Sequence, residues 1–270
     1  MNVGIFGIAA LTALVSVSGI ATADGNYYTD RRTGCRLWTP YFHPDATVQW
    51  SGACRNGLAE GSGVLTLSHS IRNEQGDVEV RIEGTYSGGR LNGRALITYD
   101  ANGKAPRFEG TVQDGIKNGR GRFTVPGFGY FDGNYINDNW QGYGELLLDK
   151  SCTICADPGS QYKGDWVNGK YQGKGILVEA NGDRYEGEFV GGKLQGKGVY
   201  VRQNGDRYEG EWGNGRPNGM GTKTWDHGSK RYSGRWVTDC SMDSAGRMHS
   251  FLEADQSCEV MRDYFKTWVR

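Results

Sequence analysis

The stretch NGDRYEGE occupies Asn181–Glu188, and the same eight residues recur at Asn204–Glu211, 23 positions later. Either one segment was duplicated once, or a short structural unit is stacked many times. Aligning on the aromatic residue before the glycine decides between them. Tyr162, Tyr185, Tyr208 and Tyr232 open successive units 23, 23 and 24 residues apart. The first three continue with glycine at +2, +7, +11 and +13, as in Gly187, Gly192, Gly196 and Gly198 after Tyr185. The register extends backwards. Phe108 is followed by Gly110, Gly115, Gly119 and Gly121, and Trp50 by Gly52, Gly57, Gly61 and Gly63. Phe131 has Asp138 at +7, and Ile82 has Ala95 at +13. Self-similarity at a fixed short period is the mark of a stacked array.

Each unit reads as a β-hairpin. In YKGDWVNGKYQGKGILVEANGD (Tyr162–Asp183), Tyr162–Val167 forms one strand, Asn168-Gly169 a turn and Gly173–Glu179 the return strand. Asn181-Gly182 then turns into the next unit. Asn-Gly suits such turns because both residues tolerate positive φ. The two-residue strand period places Tyr162, Gly164 and Trp166 on one face and Lys163 and Asp165 on the other. A flat ring needs floor space, which a glycine on the neighbouring strand supplies. The opposite face, with Glu186, Glu188, Lys197, Glu209 and Glu211, stays in water.

YKGDWVNGKYQGKG, YEGEFVGGKLQGKG and YEGEWGNGRPNGMG (the last Tyr208–Gly221) resemble the MORN (membrane occupation and recognition nexus) repeat. The resemblance implies an all-β fold, an elongated single-layer antiparallel sheet of about eight stacked hairpins. At roughly 4.8 Å per strand, about sixteen strands give a sheet of roughly 75 Å. The array is expected over residues 48–238, after a signal peptide at 1–23 and an N-terminal cap at 24–47. A C-terminal cap with a short helix follows at 239–270. Two insertions break the spacing. Phe131 to Tyr162 is 31 residues and contains Cys152-Thr-Ile-Cys155, and Trp50 to Ile82 is 32, with extra length around Ser70–Val80. Longer strands or protruding turns are expected there, and both are candidate recognition features.

Composition bounds the function. Lys+Arg and Asp+Glu are equal at 31 each, so no basic excess favours nucleic acid. Glycine is 44 of 270 residues, about twice the usual ~7%. Abundant aromatic residues and scarce proline exclude a disordered chain. Val3–Ile20 is an apolar run ending in Ala21-Thr22-Ala23, the pattern of a cleaved export signal with Asp24 opening the mature chain. The same run is long enough to read as an uncleaved anchor. Six cysteines follow it, an even number that suits an oxidising compartment. Sequence alone leaves fifteen connectivities open. Grouping favours Cys35–Cys54, Cys152–Cys155 and Cys240–Cys258. Absent N-x-S/T sequons fit a bacterial periplasmic protein.

At the C-terminus, Val260, Met261, Tyr264, Phe265 and Trp268 recur on one face of a helix, either a cap on the last hairpin or a docking element. Its charges are too balanced to favour anionic lipid. His43, His69, His227 and His249 show no ligand spacing, so no metal site is expected. GGKLQGKG at Gly191–Gly198 lacks the Ser/Thr of a phosphate-binding loop, so no cofactor is expected. No catalytic motif or residue stands out. Cys152 and Cys155 admit a structural disulfide or thiol chemistry.

The aromatic face is the remaining candidate site: Tyr162, Trp166, Tyr185, Phe189, Tyr208, Trp212, Tyr232 and Trp236. These rings read either as the core of a one-layer sheet or as an exposed trough for a peptide, acyl chain or sugar. MORN proteins are similar in serving protein assembly or membrane-associated positioning, sometimes attached to kinases or methyltransferases. Neither sequence accompanies the array here. The favoured expectation is a non-enzymatic exported scaffold with a protein partner, possible homo-oligomerisation and no nucleic acid. The alternative is a lipid- or glycan-binding envelope module.

Overall fold

A computed structural model describes residues 26–40, 45–70, 77–99, 106–245, 247–251 and Cys258. The signal segment at 1–23 and the helix expected around Val260–Trp268 lie outside the described residues. The chain divides between Ala156 and Asp157 into two compact units.

Among the described residues, the elements of the first unit are strands: β1 (Asn26–Thr29), β2 (Arg36–Thr39), β3 (Thr47–Trp50), β4 (Ala53–Arg55), β5 (Leu58–Ser70), β6 (Asp77–Ser87), β7 (Arg90–Thr98), β8 (Arg107–Gln113), β9 (Ile116–Val125), β10 (Gly129–Ile136) and β11 (Asn139–Leu148). From β5 to β11 each strand pairs antiparallel with the next. Both β3 and β4 pair with β5. The extra length after Trp50 becomes the long β5–β6 hairpin, paired from Gly61↔Tyr86 to Ser70↔Asp77.

The second unit continues the pattern with β12 (Gln161–Val167), β13 (Lys170–Val178), β14 (Arg184–Val190), β15 (Lys193–Val201), β16 (Arg207–Gly213), β17 (Arg216–Trp225) and β18 (Lys230–Trp236). Successive strands are again antiparallel neighbours. A two-stranded ribbon of β19 (Cys240–Met242) and β20 (Met248–Ser250) follows.

The four glycines of each unit answer three separate demands. The +7 glycine closes the hairpin turn, where both central residues have positive φ: Asn168 at 50° with Gly169 at 72°, and Asn214 at 53° with Gly215 at 84°. That is the requirement of a type I′ turn. Asp138 meets it at φ 63°, a conformation aspartate tolerates. The +11 glycine occupies a β-bulge in the return strand. Pairing jumps from Gly187↔Gly198 to Glu188↔Gln195, and Gly196, inside the bulge, sits at φ 61°. The +2 and +13 glycines pair with each other and form the floor beneath a ring.

Turns are tied to one another along each unit. The Gly89 N–H donates to Ala59 O at 2.9 Å, and that of Gly115 to Leu91 O at 2.8 Å. In the second unit the Gly192 N–H donates to Tyr171 O at 2.9 Å and that of Gly215 to Leu194 O at 3.0 Å.

In the N-terminal segment, β2 crosses the turn ends of the first hairpins. The Arg36 N–H donates to Gly57 O (2.9 Å), the Trp38 N–H donates to Gly89 O (2.7 Å), and the Trp38 ring lies against Gly115. The Cys35–Cys54 disulfide fastens this strap to β4. Asp30, fully buried, accepts from the Trp50 N–H at 2.9 Å and the Arg32 N–H at 2.8 Å. Burial alone works against its ionisation. The two amide bonds and the Arg32 guanidinium outweigh that and bring the carboxyl down to about 2.

Candidate functional site

The aromatic face is built from a ring laid over each glycine pair. A Cβ on Gly187 or on Gly198 would stand within 2.5 Å of Tyr185. The same relation joins Tyr162 to Gly164 and Gly175, and Tyr208 to Gly210 and Gly221. Phe108 lies over Gly110 and Gly121, and Phe131 over Gly133 and Gly144. The bulge presents a carbonyl that each tyrosine hydroxyl reaches: Tyr162 donates to Asp165 O at 3.0 Å, Tyr185 to Glu188 O at 3.1 Å, and Tyr208 to Glu211 O at 3.1 Å. Burial and the loss of solvation of the phenolate raise the Tyr185 and Tyr208 hydroxyls well above the usual tyrosine range.

The +4 aromatics lock one hairpin to the next. Tyr185 meets Phe189 edge-on at 5.1 Å and Trp212 of the following unit at 5.2 Å. Tyr208 meets Trp212 at 5.2 Å and Trp236 at 5.4 Å. Edge-to-face contacts at these separations are favourable. The indole N–H groups are used as well: Trp212 donates to Gly198 O and Trp236 to Gly221 O, each at 3.2 Å.

Of the eight candidate residues, all but Tyr232 are buried, with 2% exposure or less. Tyr232 is half-buried, donates to Met242 O at 3.0 Å and stacks on His249 at 4.1 Å. This burial is the core reading of the face. The C-terminal ribbon covers the end of it. Phe251 packs against Tyr200, Tyr208 and Trp212, and the Cys240–Cys258 disulfide ties the chain down there.

A polar cluster surrounds the hydroxyl of Tyr200 at the connections between successive hairpins. The Tyr200 hydroxyl is 2.8 Å from Asp183 Oδ2 and 3.1 Å from Glu179 Oε2. One phenolic proton cannot serve two carboxylates. Burial raises the Glu179 carboxyl above its ordinary value, and the negative charges of Asp183 and Asp157 add to this against the Tyr200 hydrogen bond. Asp183 also accepts from the Gln203 N–H at 2.9 Å, so the cluster shapes the connection between hairpins. Among the described residues, no group of three His, Cys, Asp or Glu side chains is placed to hold a metal ion. Cys152 and Cys155 are joined by a disulfide in the segment after β11, with Cys152 buried.

The water-facing side is less uniform. In the second unit, bases and acids alternate across strands: Lys174 pairs with Glu188 and Lys197 with Glu211 in register. The +3 acids are anchored by bulge amides. Glu188 accepts from the Lys197 N–H at 3.1 Å and Glu211 from the Met220 N–H at 2.7 Å. In the first unit the +3 positions after Ile82, Phe108 and Phe131 are Thr85, Thr111 and Asn134, and arginines stand at +12 after Ile82 and Phe108, as Arg94 and Arg120. A groove of about 450 Å³ opens here, floored by Gly110 and Gly121 and walled by Arg94, Glu109, Thr111, Arg120, Arg122 and Asp132. Strand period alone places this side in solvent and marks no groove on it. The change of residue type at +3 is the signal that marks it.

The MORN repeat family model matches five segments: 52–68, 108–126, 162–184, 185–207 and 208–230. The chain carries MORN repeats. It is also similar to Alsin of Rattus norvegicus, 30% identical over 165 residues, and to Alsin of Homo sapiens, 29% identical over 165 residues. Each alignment covers 58% of this chain and 9% of the relative, so the chain spans about a tenth of the length of these proteins.

Proposed function

We propose that the protein is a non-enzymatic, exported repeat scaffold that binds a protein partner through the water-facing side of its hairpins. The carrying observation is the contrast between the two sides. Positions that build the ring face repeat from hairpin to hairpin and are consumed by packing. Positions on the polar side change, as from Glu188 and Glu211 to Thr111 and Asn134. A scaffold needs this division: a constant core for stacking and a variable surface for recognition. Three disulfides, accounting for all six cysteines, support an oxidising location outside the cytoplasm or in a periplasm.

The test is crosslinking of the tagged mature chain, Asp24–Arg270, in its native compartment, with identification of what co-purifies. The scaffold reading expects a defined protein whose recovery falls when charges on the polar side are exchanged. Recovery of lipid or envelope glycan alone would reject it.

A further inference from the structure

We propose that the groove over Gly110 and Gly121 binds an extended acidic segment of the partner protein. This identifies the partner class and surface for the scaffold reading and rests on it. Around the groove, four guanidinium groups meet two carboxylates. Glu109 is shared by Arg94 at 3.3 Å and Arg107 at 2.9 Å. Arg120 reaches Asp132 at 3.3 Å, and Arg122 lies over the Tyr130 ring at 3.9 Å. The Arg94 and Arg120 side chains are 83% and 80% exposed, so these contacts leave most of each guanidinium in water.

The repeat itself shows what is missing. Arg94 is in register with Thr111, and Arg120 with Asn134. The corresponding lysines of the second unit face Glu188 and Glu211. At the same places the first unit offers a hydroxyl and an amide, and carboxylates from outside complete the row. Guanidinium groups bind carboxylates through paired N–H donors. Arg94 on β7 and Arg120 on β9 are two strands apart, about 10 Å. That matches residues i and i+3 of a polyproline-II segment, which rises about 9.3 Å in three residues on one side. A chain with an acidic residue at every third position fits the two arginines.

The experiment measures binding of a fluorescent Glu-Pro-Pro-Glu-Pro-Pro-Glu peptide to the full mature chain at low salt. The decisive variant is Thr111→Glu. The repeat accommodates this change, since Glu188 and Glu211 already reach bulge amides from that position. It supplies Arg120 and Arg94 with an internal carboxylate. Binding is expected to weaken at least tenfold in Thr111→Glu and in Arg94→Ala/Arg120→Ala, with melting temperatures unchanged or raised for Thr111→Glu. Lys174→Ala/Lys197→Ala is expected to bind as the wild type does.

Equal binding by Thr111→Glu would overturn the proposal, as would no binding by the wild type. Binding of inorganic phosphate or phosphatidylserine vesicles, without the peptide, would overturn it in favour of a phosphate ligand. If the peptide fails while a partner is still crosslinked in the native compartment, the groove is rejected and the scaffold reading stands. If no protein is crosslinked, the scaffold reading itself fails.

Discussion

Tyr185 lies across the paired glycines Gly187 and Gly198, and its hydroxyl donates to the Glu188 carbonyl released by the adjacent bulge. One side chain thus fills the space left by two absent Cβ atoms and satisfies a backbone acceptor. Gly198→Ala is expected to destabilise the protein by about 2–3 kcal/mol, because the methyl group cannot coexist with the ring. The penalty should shrink in a Tyr185→Leu background, giving a coupling of about 1–2 kcal/mol in a double-mutant cycle followed by urea unfolding. The chain carries its own precedent: where Ile82 replaces the ring, Ala95 replaces the glycine.

The hydroxyl contributes separately from the ring. Tyr208→Phe removes the bond to Glu211 O and leaves packing intact. A loss of about 1 kcal/mol is expected. Thermal unfolding should show this loss together with an unchanged aromatic circular dichroism signal.

Asp30 anchors the N-terminal strap to Trp50. Asp30→Ala strands the Trp50 and Arg32 amides and should cost about 2–4 kcal/mol. The folded carboxyl at about 2 lies below its unfolded value, so its contribution is complete above pH ~4. That contribution disappears as the pH falls towards 2. Wild type and Asp30→Asn should therefore converge in stability on acidification, measured by urea unfolding at pH 7, 4 and 2.5.

Glu179 has the opposite sign. Its folded carboxyl is raised, so the native state holds its proton more tightly than the unfolded chain. Stability from this group is present at low pH and is lost as the pH rises above the unfolded value. Glu179→Gln should raise the melting temperature at pH 7 and lose that advantage below pH ~4.

The disulfides differ in reach. Cys35–Cys54 and Cys240–Cys258 close separations of 19 and 18 residues, against 3 for Cys152–Cys155. Loop-closure entropy gives about 3 kcal/mol for each long bridge and about 2 kcal/mol for the short one. Paired Cys→Ser variants should rank in that order in urea midpoint.

Much of the architecture was legible because each repeated glycine answers a local demand. A type I′ turn and a bulge call for positive φ, and a ring floor leaves no room for a Cβ, so the glycine pattern encodes hairpins directly. The polar groove was less legible. Arg94, Thr111 and Arg120 are far apart in sequence and belong to a side where any soluble residue is tolerated. Only the register of β7, β8 and β9 brings them into one row.

By itself, then, the sequence determined stacked antiparallel hairpins, the face that carries rings and the turns between strands, since local sterics and a strict period govern all three. Tertiary structure alone decided that seven of the eight candidate rings are core, that β2 straps the hairpin turns, and that arginines from separate hairpins share one groove. Burial, strap placement and convergence of charge depend on which distant segments meet, and no local pattern of residues specifies that.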